Sequence, residues 1–178
     1  MSSPYDPQFA PAGDVGTALM MIDSRLKGVH SGRTETDAEQ QALTDHFAAS
    51  LDAAGIDDVL DGVCTLIFMF MTWLRRTHEE HGKDVIEYVV PTLVATMRQM
   101  PKSVSAETIP TMAGLVIAAG TDLSPNLWRK QYGYWTDEEM TPLEVTAFLL
   151  AEHINRIAAD PDFATRMISQ ALSGADED

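Results

Sequence analysis

The chain has one cysteine, Cys64, which excludes an internal disulfide and any paired-thiolate metal site within it. Positive charge is scarce too: 12 Lys and Arg stand against 27 Asp and Glu, a formal net charge of −15. A surface of that sign repels phosphate backbones and anionic headgroups, so neither nucleic acid nor membrane is expected as a partner. Long hydrophobic runs are lacking as well. The run from Val63 to Leu74, free of charge, glycine and proline, has twelve residues. As a helix it spans roughly 18 Å, well short of a hydrocarbon core of about 30 Å.

Several chemical signatures are also missing. No segment alternates polar and apolar residues over strand length, so no sheet is expected. No repeat of solenoid length recurs. There is no glycine-rich phosphate loop, no Gly-x-Ser-x-Gly elbow and no basic recognition helix. The carboxylates are too dispersed to single out a general acid and base. No catalytic residue and no cofactor are therefore assigned. Met1 to Pro7 has neither a basic nor an apolar leader region, and a cytoplasmic location is expected.

What is present is helical periodicity with helix punctuation. The expected fold is all-α, a single-domain bundle of about seven helices around a central apolar helix at residues 57–81. A flexible arm is expected at 1–13, the domain at 14–173 and an acidic tail at 174–178. A first helix is expected over Val15 to Lys27. Thr36-Asp-Ala-Glu39 is a capping box that opens a second, with Leu43, Phe47 and Leu51 on its inner stripe and Gly55 as its left-handed stop. The central helix follows, ending near His81-Gly82. Asp84 to Met100 makes a fourth helix, bent or divided at Pro91. A fifth runs from Ser105 or Thr108 to Gly120. Ser124-Pro125 caps a short helix that reaches Tyr132. Thr141-Pro-Leu-Glu144 combines a capping box with proline at the first helical position, and Asp160-Pro161 starts the last helix.

Two constellations stand out. His78-Glu-Glu-His81 places two imidazoles on one helical face, the spacing of a metal pair, with His153 on another helix as the first place to look for a third ligand. Leu127 to Trp135 gathers Trp128, Arg129, Tyr132, Tyr134 and Trp135 into nine residues. Those residue types dominate binding hot spots, because they bury large area with few rotors and keep a polar handle. Cys64, inside the apolar run, is expected to be an inert core residue.

The function expected from these features is non-enzymatic and works through protein–protein contact. A homodimer is expected, because Val85 to Val94 is broadly apolar and a second copy would cover it. The alternative is a small-molecule pocket bounded by Pro91 and Trp128 to Trp135.

Overall fold

The computed structural model describes residues 9–30 and 53–176. Seven helices occupy them: α1 (Ala12–His30), α2 (Ala53–Glu79), α3 (Val85–Arg98), α4 (Ile109–Gly120), α5 (Pro125–Lys130), α6 (Asp137–Ala158) and α7 (Phe163–Asp176). The fold is all-helical and forms one helical domain, as the periodicity predicts. The expected helix opened by Thr36 lies outside the described residues, apart from its end.

The apolar run becomes the middle of α2, and α2 packs against each of the other six described helices. Val63, Cys64, Leu66, Ile67, Phe70, Met71 and Leu74 are fully buried, while Phe68, Met69 and Trp73 pack half-buried on the same core. A helix apolar on all sides is stable only when surrounded in this way. No described helix is long and apolar enough to cross a membrane.

The α1 helix lies along α2 with Val15, Ala18, Leu19, Ile22 and Leu26 facing in. Their approach is close at Gly62, where a Cβ would stand 2.5 Å from the Asp14 carbonyl oxygen. The last residues of the expected arm are tied down. The Phe9 ring meets Phe68 at 4.9 Å between centroids, and the Ala10 N–H donates to Thr65 Oγ1 at 2.9 Å.

Several boundaries differ from expectation. Gly55 does not stop a helix: the chain is already helical at Ala53, and Gly55 lacks the positive φ of a C′ residue. That conformation appears instead at Gly82 (φ 66°) and Gly133 (φ 90°). The capping box at Thr141 is not used. α6 begins earlier, at Asp137, where the Thr136 N–H and hydroxyl both donate to Glu139 Oε1 at 3.0 and 2.9 Å. Pro142 therefore lies inside α6, still within its second turn. Pro91 likewise lies inside a continuous α3, on its exposed face.

The apolar face of α3 is covered by this chain itself. Val85, Val89, Leu93 and Met97 are buried against α2, α4 and α6, with Ile86, Val90 and Val94 half-buried beside them. No second copy is needed to shield it. At the far end, α7 continues to Asp176, so the expected acidic tail is helical at its start.

Candidate functional site

The aromatic segment Leu127 to Trp135 folds as α5 followed by a turn into α6. Ser124 accepts from the Leu127 N–H at 3.2 Å and Pro125 takes the first helical position, so the short helix is fixed at its N-terminus. Its residues then separate into three roles.

Trp128 packs inward. Its ring lies so close to α4 that a Cβ on Gly114 would meet it at 2.7 Å, and Tyr132 covers it at 5.0 Å between ring centroids. Arg129 is the centre of a buried polar network. Its guanidinium donates to Glu139 Oε1 at 2.7 Å and to the Tyr134 carbonyl at 2.8 Å. It also lies 4.5 Å over the Trp135 ring, a cation–π contact. Arg129 and Glu139 are both buried, so their charges must answer each other. The Arg129 Nε has no partner. Tyr132 and Tyr134 project outward, with Tyr134 86% exposed.

Trp135 connects this network to α2. Its indole N–H donates to Asp61 Oδ1 at 3.3 Å. Asn126 Nδ2 donates to the Asp61 carbonyl at 2.8 Å, and Thr65 Oγ1 donates to Asn126 Oδ1 at 3.2 Å. A chain of hydrogen bonds thus runs from Ala10 through Thr65, Asn126, Asp61 and Trp135, and the stacked Arg129 carries it to Glu139. Burial pushes the Asp61 carboxyl up, reinforced by Asp57 and Asp58 and opposed by the Trp135 N–H and Lys130. Asp14 is also raised, by burial first and then by Asp58.

Around Trp135 the surface is concave. A cavity of about 380 Å³ is lined by Asp57, Asp58, Asp61, Arg129, Tyr134 and Trp135, among others. Another, of about 520 Å³, is lined by Ile56, Leu60, Trp135 and Met140. Asp57, Tyr134 and Trp135 border both, so the two form one cleft between the start of α2 and the α5–α6 turn. No residue of α3 lines it. The structure therefore does not bring Pro91 and the aromatic segment into one pocket.

The histidines are arranged differently. His78 Nδ1 bonds the Leu74 carbonyl at 2.7 Å and His81 Nδ1 the Thr77 carbonyl at 3.0 Å, so each ring folds back on the backbone four residues earlier, His78 within α2 and His81 in the turn after it. His78 stacks on His153 of α6 at 6.4 Å between centroids, whereas His81 is exposed. The His153 Nε2 is buried without a partner. Burial, then the neighbouring His78 and Arg156, hold this imidazole below the usual histidine range. Among the described residues no group of three or more His, Cys, Asp or Glu side chains is placed to hold a metal ion. Cys64 is fully buried and its thiol is pushed well up by burial, which keeps it unreactive.

Asp57, Asp58, Asp61, Asn126 and Glu139 are not legible as site residues in the sequence. The three aspartates resemble ordinary helix-start acids, and Asp61 is 74 residues from its Trp135 partner. Only the Thr136 to Glu139 spacing, itself a capping-box pattern, carries a local signal. Comparison with models of protein families, with curated proteins and with solved structures finds no match to this chain.

Proposed function

We propose that this is a non-enzymatic protein that works through protein–protein contact, and that the surface of α4 and α5 joins it to a second copy of itself. One observation carries the reading. Of the eight large apolar side chains exposed among the described residues, four fall between 117 and 132: Ile117, Leu123, Leu127 and Tyr132. Apolar side chains concentrated in one region mark an association surface more than scattered ones do.

The charge distribution favours a like partner there. Copies of a chain with net charge −15 repel wherever acidic surfaces meet. That repulsion is weakest where charge is absent, and α4 contains no charged residue. The acid beside it, Asp122, is answered by Arg75 at 3.7 Å. A two-fold contact through α4 and the Leu127 side chain of α5 buries apolar surface on both sides.

Sedimentation velocity over a micromolar concentration series tests this. The wild-type weight-average mass is expected to rise from 19.5 kDa towards twice that value. The double variant Leu123→Asp, Leu127→Asp is expected to stay at the monomer mass with an unchanged melting temperature, since both side chains are exposed. A wild-type protein that remains monomeric throughout overturns the proposal.

A further inference from the structure

A second surface, which includes Arg129 and Lys130 at the end of α5 but no residue of α4, carries its own ligand chemistry. The cleft at Trp135 has two unlike halves. One holds the apolar side chains Ile56, Leu60 and Met140 together with Asp137; the other holds Asp57, Asp58 and Asp61 together with Lys130. Tyr134 and Trp135 stand where the halves meet. We propose that this cleft docks an extended segment of a partner protein carrying a lysine or arginine next to an apolar side chain, the cation among the aspartates and the apolar group beside Leu60 and Met140.

Charge complementarity supports this first. Four carboxylates, Asp57, Asp58, Asp61 and Asp137, line the cleft against Arg129 and Lys130, and the charge of Arg129 is already met by the buried Glu139. What remains is acidic, within a chain acidic overall, so the local field and the global field both attract a basic segment. Burial first, and then the neighbouring Asp57 and Asp58, raise the Asp61 carboxyl, so a cation placed beside these three groups is favoured.

Aromatic geometry adds independent support. One face of the Trp135 ring carries Arg129, so this ring already serves as a cation–π platform inside the protein. Tyr134 sits one residue away and is 86% exposed, which leaves its ring accessible to a partner's cation. The platform is held rigidly, because Trp135 is fixed by Asp61 and Arg129 by both Glu139 and the Tyr134 carbonyl. A preorganised platform loses little side-chain freedom on binding.

The shape of the cleft separates a peptide from a small cation. A lone ammonium ion satisfies only the acidic half, whereas a segment with an apolar neighbour fills both. The two halves join along Asp57, Tyr134 and Trp135, which allows one extended chain to pass between them.

The test is a titration of the isotope-labelled full chain with a capped Ser-Gly-Leu-Lys-Leu-Gly-Ser peptide, read at the three tryptophan indole N–H signals. The Trp135 indole, bonded to Asp61, is expected to shift saturably while those of Trp73 and Trp128 stay in place. The peptide with glutamate in place of lysine is expected to bind at least tenfold more weakly. So is the lysine peptide with the Asp57→Asn, Asp58→Asn variant, and so is the wild-type pair in high salt. Equal binding of the glutamate peptide overturns the proposal, as does no shift at millimolar peptide. An identical shift and affinity with spermidine also overturns it, because the apolar half then contributes nothing. The readout is independent of self-association, so it stands or falls apart from the dimer.

Discussion

Gly62→Ala is expected to destabilise the protein, although alanine is the better helix former. Gly62 lies inside α2 where α1 crosses it. A Cβ there would be 2.5 Å from the Asp14 carbonyl oxygen, 2.8 Å from its carbon and 3.2 Å from the Val15 nitrogen. Ordinary contact begins at 3.4 Å, so the obstruction is about 0.9 Å deep. It is also backbone, which cannot rotate away as a side chain can. Relief requires the first turn of α1 to lift, and that turn is held by Val15 in the core and by Phe9 and Ala10 against α2. Overpacking of this kind costs about 1 to 3 kcal/mol, and the backbone obstacle puts it near the upper end. The helix-propensity gain of Gly to Ala returns up to about 1 kcal/mol. The net loss is about 2 kcal/mol, which lowers the melting temperature of a chain this size by roughly 4 to 8 °C. Gly16→Ala supplies the control, because a Cβ there meets only Leu172 Cδ1 at 3.9 Å. It should stabilise α1 by about 0.5 to 1 kcal/mol. Thermal and urea unfolding followed by circular dichroism reads both. If Gly62→Ala matches or exceeds the wild type in stability, α1 and α2 do not approach as closely as described and the reasoning fails.

Two other perturbations have defined outcomes. Arg129→Met strands the buried Glu139 carboxylate, which keeps only its Thr136 contacts, and is expected to cost about 3 kcal/mol in urea unfolding; Glu139→Gln, which retains an acceptor for Thr136, should cost less. His153 is held neutral by its surroundings, so on acidification the unfolded chain takes up its proton first, near the usual histidine value of about 6.5. The folded protein then binds fewer protons than the unfolded one, and stability falls as pH drops from about 6.5 to the lower folded value. Urea midpoints taken at about pH 7.5 and 5.5 should show this loss in the wild type and a smaller one in His153→Leu; equal losses would show that another group carries the slope.

How much of the fold the sequence discloses depends on the range of the interaction involved. The central helix is legible because twelve consecutive uncharged residues admit few environments, and the cap at Ser124 because its side chain acts within three residues. Glycine is less reliable, since one residue type serves two purposes. Gly82 and Gly133 take positive φ and end helices. Gly62, Gly114 and Gly120 are helical and are small because something presses on them: α1 backbone, Trp128 and Ile86 respectively. Nothing local distinguishes the two uses. The misplaced start of α6 has a related cause. Thr136 and Thr141 each open a Thr-x-x-Glu pattern, and the proline after Thr141 gives that position the stronger local signal. Tertiary structure decides for Thr136, because Glu139 is also the partner of Arg129, and a helix starting at Thr141 would leave that guanidinium buried without its carboxylate.

The site shows the same limit more sharply. The aromatic segment can be singled out from composition, yet composition treats its members alike, and the structure divides them. Trp128 packs, Arg129 and Trp135 build the platform, and Tyr132 and Tyr134 face outward. What divides them is α2, which contributes Asp61 from 74 residues away and converts an aromatic cluster into a cleft with an acidic wall. Packing also moves the proposed self-association surface. Apolarity alone points to α3, whose apolar side chains are needed at home. Exposure points to α4 and α5, and the absence of charge to α4, whose apolar side chains are partly surplus to the core. The apolar patch and the acidic cleft differ in charge within a chain that is acidic overall. They select for opposite partners: the patch for a surface as apolar as itself, the cleft for a basic segment that the chain, with 12 basic residues against 27 acidic, is poorly equipped to supply.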